Sequence, residues 1–199
     1  MLHKHRRAGG QALVEFTLAA TLIFFLLAAA VDLGLIFFTL QGMRTAAQEG
    51  ATYGSYPVIV VNPDGSPNRS DLNYSQILVR VRNSSGTGSG GFANLQDLNN
   101  DGVRDDTQTS DLTLTDPQNA DGWIYVQLLK GSNPTNLSST CATSTPGRDM
   151  QNGGKNCWIR VQVRYNYRFQ FPFAPSFADT IQLEVAQIMP IRSTYFTTP

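Results

Sequence analysis

Residues Phe16 to Leu40 read FTLAATLIFFLLAAAVDLGLIFFTL, with Asp32 as the single charge. A run this apolar has few stable solutions. In hydrocarbon every backbone N–H and C=O must be bonded within the segment, and a helix of about 20 apolar residues does that while crossing. The residues in front carry Lys4, Arg6 and Arg7, with His3 and His5. Positive charge beside the first apolar segment predicts a cytoplasmic N-terminus, with the rest of the chain on the other side as a single-pass protein. The helical pattern continues past the run through Gln41–Tyr53, QGMRTAAQEGATY, and ends near Gly50 or Gly54. A helix from Glu15 to Tyr53 would be about 58 Å long, about twice the hydrocarbon thickness.

Beyond the helix the chain is rich in Ser, Thr, Asn, Gly and Gln, and charged residues are only 15% of the whole. Such a composition suits a loop-rich domain outside the cytosol. Lys+Arg and Asp+Glu are each 15 and the net charge is zero. Nothing in this balance suggests a nucleic-acid partner, which would need a strongly basic surface. Val58–Val61 is a short strand candidate, stopped by the turn signal Asn62-Pro63-Asp64-Gly65. Ser75–Arg82 is apolar enough for a helix or a strand, Ser84–Gly91 is a flexible loop, and Trp123–Leu129 is a strand. The clearest strand is Trp158–Phe171. Ile159, Val161, Val163, Tyr165, Tyr167, Phe169 and Phe171 alternate with Arg160, Gln162, Arg164, Asn166, Arg168 and Gln170. Period-two alternation of this length predicts a half-buried strand of an antiparallel sheet. Pro172 ends it, and Thr180–Met189 is its expected partner. The row Arg160, Arg164, Arg168 reads as a solvated face, or else as a strip that pairs with acidic groups on a neighbouring subunit.

Glu15 stands near the entrance of the apolar run, where an ionised carboxylate is costly unless paired. A cut between Gly10 and Gln11 would supply the partner. The new α-amino group is positive near neutral pH, and first and fifth positions share one face of a helix. The same pairing between neighbouring subunits would set their axial register. Without a cut, Glu15 is an interfacial residue of an ordinary anchor. Asp32 also has two readings: a pairing with a neighbour's helix in a bundle, or a position near the outer membrane face, about 26 Å up the helix from Glu15.

The block GQALVEFTLAATLIFFLLAAAVDLG (Gly10–Gly34), the run TAAQEGATYGS (Thr45–Ser55) and the series IRVQVRYNY, FPFAPSF, IQLEVAQIMPIRS resemble, in that order, the TadE family of minor pilins from tight-adherence (Flp) pilus systems. The basic leader, Gly10 and Glu15 also resemble type IV prepilins at large. Residues from about 56 to 150 carry none of the likeness. The resemblance implies a pilin-like α+β fold: a long N-terminal transmembrane helix, then a C-terminal antiparallel β-sheet domain with long loops. It implies cleavage after Gly10 by an inner-membrane prepilin peptidase, with Glu15 used in recognition or assembly. Expected partners are other pilin subunits, that peptidase, the inner-membrane assembly platform and the membrane itself, and after assembly the protein would lie in an extracellular filament. Typical type IV pilins have Phe where Gln11 stands, which bears on N-methylation and leaves cleavage unaffected. The organisation that follows is a leader at 1–10, a helix at 11–55 with about 16–40 in the membrane, and an extracytoplasmic β-rich domain at 56–199.

Two further features carry chemistry. Asp97, Asn99, Asp101, Val103 (through its carbonyl) and Asp105 fall at positions 1, 3, 5, 7 and 9 of a calcium-loop pattern, with Gly102 at position 6. Position 12 is Gln108, where a full loop has an acid; Asp106 and Asp111 are the nearby substitutes. This stretch reads as a structural Ca2+ site or as a polar turn. Cys141 and Cys157 read as one disulfide outside the cytosol, worth about 3 kcal/mol in the chain-entropy model, or as two unrelated thiols. No catalytic constellation is present: the histidines lie in the leader, so no Ser-His or Cys-His pair can form, and there is no phosphate loop. The reading is thus a non-enzymatic minor pilin. Its rivals are a membrane-anchored binding domain that needs no cut, a domain released by signal peptidase near Ala28-Ala29-Ala30, and, more distantly, a hydrolytic ectodomain.

Overall fold

The computed structural model describes residues 8–65, 67–84, 94–103, 123–131, 133–140, 157–170 and 179–192. Asp105, Cys141, the 84–91 loop beyond Ser84 and the 171–178 connection, all singled out above, lie outside these. One helix, α1 (Ala8–Gly54), is 47 residues long, or about 70 Å at standard rise. No proline interrupts it. Thr17 and Thr21 donate their hydroxyls to the carbonyls of Leu13 and Thr17, both at 2.8 Å. These polar side chains are therefore satisfied inside the helix itself. The last turn closes where Ser55 N–H donates to Ala51 O at 2.9 Å, and Pro57 follows.

The strand pair β1 (Val58–Val61) and β2 (Pro67–Asp71) forms a two-stranded ribbon. Helix α2 (Tyr74–Asn83) resolves the ambiguous 75–82 segment. Asn73 caps it, accepting from Gln76 N–H at 3.1 Å and Ser75 Oγ–H at 2.9 Å. Its buried residues Tyr74, Ile77 and Val81 recur at helical spacing, so a single face meets the core. Four more strands, β3 (Ile124–Gly131), β4 (Leu137–Thr140), β5 (Cys157–Arg168) and β6 (Thr180–Pro190), form one antiparallel sheet in the order β4-β3-β5-β6. The fold is α+β, as expected. In β5 the alternation holds from Ile159 to Arg168, where the strand ends short of the expected Phe171: Ile159, Val161, Val163, Tyr165 and Tyr167 are buried, against half-buried Arg160, Arg164 and Asn166 and exposed Arg168. Gln162 departs from the pattern and is also buried. Its neighbour β6 pairs with β5 in one unbroken register, from Trp158–Pro190 to Arg168–Thr180.

The core lies between α1, α2 and the inner face of the sheet. Met43, Ala46, Ala47 and Ala51 of α1 meet Ile77 and Val81 of α2 and the apolar side of β3, β5 and β6. Gly50 and Gly54 set how close these elements come. A Cβ on Gly50 would collide with Val81, and one on Gly54 with Ile159 and Ile77.

Candidate assembly surface on the N-terminal helix

Among the described residues, little packs against the helix below Asp32. Leu13, Phe16 and Phe24 are 68, 73 and 70% exposed, and Leu22, Ile23, Leu26, Leu27 and Val31 are exposed too. A helix from the core of a water-soluble protein is buried on at least one face; this one is apolar all round and bare. It is long and apolar enough to cross a membrane. The apolar surface is far beyond the few hundred Å² that soluble monomers leave open, about 300–600 Å² at most. At its foot, Gln11 Nε2–H donates to Glu15 Oε1 at 3.1 Å, one turn apart. Glu15 is therefore paired in the uncut chain, through the side chain of the residue that cleavage would make the first. Gly10 has open space around it.

Asp32 marks the change from bare to covered. The expected membrane stretch, about 16–40, runs eight residues beyond this point. Asp32 is buried, and its Oδ1 accepts from Tyr167 Oη–H at 3.3 Å and from the backbone N–H of Gln170 at 3.1 Å. The carboxylate is thus held by its own chain's sheet, a partner that neither a neighbour's helix nor a place at the membrane face had supplied. Burial, then the charge and hydrogen bond of Asp32, push the Tyr167 hydroxyl up to about 12, since its ionised form would face that carboxylate. A second attachment lies at the far end of the helix. Arg192 N–H donates to Ser55 O at 2.9 Å, and its guanidinium stands 4.4 Å from the centre of the Tyr56 ring. Thr52 Oγ–H donates to Met189 Sδ at 3.4 Å. The paired strands β5 and β6 thus run alongside α1 between two fixed ends, at Asp32 through β5 and at Ser55 through the residue after β6.

The other sequence-derived sites fare differently. Asp97 is buried and accepts from Asp101 N–H (3.1 Å) and Gly102 N–H (2.9 Å), and Asn99 and Asp101 accept from Asp101 N–H and Val103 N–H at 2.9 and 2.7 Å. Asn100 and Gly102 take positive φ values of 60° and 90°, the left-handed turn that the glycine allows. The loop is docked to the sheet through Asn166 N–H to Leu98 O at 2.9 Å. Among the described residues no group of three or more His, Cys, Asp or Glu side chains is placed to hold a metal ion. The loop offers the carboxylates of Asp97 and Asp101. Cys157 is buried at the start of β5, and its expected partner, Cys141, lies outside the described residues. In the basic row, Arg164 pairs with Glu184 of β6 at 2.9 Å and lies 4.6 Å from the Tyr125 ring centre. Its first obligation is to its own sheet.

Sequence reasoning missed two things: the sheet contact of Asp32 and the work of Gly50 and Gly54. A signal for both was present. Asp32, Thr39, Met43, Ala46, Ala47 and Gly50 recur at intervals that place them on one helical face, and β5 offers that face an apolar row.

No curated protein and no solved structure gave a match to the chain. A family model, described as TadE-like protein, matches residues 10–52. The likeness to TadE-like proteins is therefore carried by α1 itself, from the glycine of the expected cut almost to the last turn.

Proposed function

We propose that the protein is a minor pilin of a tight-adherence (Flp-type) pilus, a structural, non-enzymatic subunit. The observation that carries this reading is the form of α1: one uninterrupted helix, bare and apolar below Asp32, clasped by a β-sheet above it, with Gly10 and Glu15 at its foot. A rod of this kind serves two solvents in turn. Its lower half is stored in the bilayer with the N-terminus on the cytoplasmic side. It then moves into a bundle of like helices when the platform adds the subunit to a filament. Prepilin peptidase cuts between Gly10 and Gln11. The new amino group then competes with the Gln11 side chain for Glu15, and at assembly Glu15 pairs with the amino group of a neighbour.

The test is the intact mass and N-terminal sequence of protein recovered from its native envelope. A start at Gln11 is the expected result. A start at Met1 in surface-located protein would replace the filament reading with an anchored binding domain, and a start near Val31 would mean ordinary secretion. Two smaller proposals belong to the head. Asp97, Asn99, Asp101, Val103 and Asp105 hold a structural Ca2+, which calorimetry on the full chain in detergent would register and Asp97→Asn would abolish. Cys141 and Cys157 form a disulfide, which a mass lower by two hydrogens than that of the reduced chain would reveal.

A further inference from the structure

The bare surface of α1 does not end at one height all round. On the side that faces the head it stops at Asp32, where the sheet begins. On the opposite side it goes on: Leu33 and Phe37, one turn apart, are 56 and 61% exposed, and Phe38 is 63% exposed. The same face then turns polar, with exposed Gln41, Arg44 and Gln48. On the head side the contrast is sharp. The lower end of the sheet, level with Asp32 through the Gln170 contact, carries exposed Arg168 and Asp179. Phe37 lies about 7.5 Å further along the helix axis than Asp32. Apolar surface thus stands higher on the far side than charged surface stands on the head side. No plane perpendicular to α1 can separate the two; a slanted plane can.

From this slant we infer that α1 crosses the bilayer at a marked tilt. Leu33, Phe37 and Phe38 then lie in lipid, while the lower end of the head is raised into water on the upper side of the slanting helix. The inference rests on the membrane reading of the lower half of α1. Length agrees with it. From Phe16 to Phe38 the apolar face spans about 33 Å, against about 30 Å of hydrocarbon. A helix whose apolar face is longer than the local thickness accommodates the excess by tilting. The occupant is lipid because this strip continues the bare membrane half without a break. Arg44, on the same face beyond Phe37, then reaches the headgroup level, as long basic side chains near the ends of membrane helices do.

The experiment uses the full chain in vesicles of phosphatidylethanolamine and phosphatidylglycerol at high lipid-to-protein ratio. Single cysteines are introduced by Leu22→Cys, Phe37→Cys, Gln48→Cys and Thr180→Cys. They are labelled with a membrane-impermeant maleimide and located by peptide mass spectrometry, which separates them from Cys141 and Cys157. Gln48→Cys reports the heads that face outward. The expected result is labelling at 37 at least about tenfold slower than at 48, because water is excluded from the hydrocarbon, with 180 as fast as 48. Leu33→Cys repeats the test if Phe37→Cys folds poorly. Fast labelling at 37 with 22 protected would overturn the tilt and leave the membrane reading standing. Fast labelling at 22 would remove both. Protection of 180 together with 37 would mean a head sunk in the bilayer. Protection of 37 that appears only when protein is crowded would assign the strip to a second copy. Either of these last two results overturns the inference.

Discussion

Helix α1 has two halves joined without a break, Ala8–Val31 and Asp32–Gly54, and they meet their surroundings in opposite ways. The lower half exposes bulky Leu, Ile and Phe side chains between its alanines, and among the described residues no strand packs on it. The upper half clears one face of bulk: Thr39, Ala46, Ala47, Gly50, Ala51 and Gly54 let α2 and β5 approach. Average hydrophobicity is a poor guide to which half is covered. Side-chain size along one stripe decides it, because dispersion and burial both depend on close approach.

Several substitutions would sharpen or break this contrast. Ile159→Ala empties the socket under Gly54 and is expected to cost about 2–5 kcal/mol in denaturant unfolding of the head, while Phe24→Ala leaves that transition unchanged. Phe24→Lys reverses the roles. It adds about 3 kcal/mol to membrane insertion at mid-helix, seen as protein lost from carbonate-washed membranes, with the head's unfolding unaffected. Gly54→Leu overpacks the junction and costs about 1–3 kcal/mol. Gly34→Leu, at a glycine with nothing within 4 Å, costs no stability in the same assay. The smallest effect is Tyr167→Phe, which removes one hydrogen bond to Asp32 for about 1 kcal/mol. That variant also changes the response to alkali. The Tyr167 hydroxyl is raised from 10.0 to about 12 on folding, so between these values the unfolded chain has released a proton that the folded chain keeps. Its stabilising part is complete below pH 10 and fades as pH rises toward 12. The wild-type midpoint should therefore fall more steeply over that interval than that of the Phe variant.

Much of this architecture was legible in the residues. The length of α1 follows from its apolar run and the Ala-rich continuation, strand β5 from period-two alternation, and β6 as its neighbour across the Pro172 connection. What escaped was non-local or polar. The strands β2 (Pro67–Asp71) and β4 (Leu137–Thr140) carry no apolar alternation and are strands because a neighbour offers an edge. The register of each is shifted, at Val60/Val61 and Lys130/Gly131. Asp32 finds Tyr167 across 135 residues of chain, a partnership no window can register. An acid within an apolar run points outward to lipid or neighbours by default, and only the position of β5 supplies an inward donor.

The double attachment of β6, at Asp32 through its partner strand and at Ser55 through Arg192, has a mechanical consequence. Strands and helix lie side by side over the whole upper half. A tug along the helix axis, as when a subunit is drawn out of a membrane, meets the interlocked side chains in shear and divides among all of them together. A head hung from the last turn alone would peel away contact by contact. Here the rod and its cargo move as one piece.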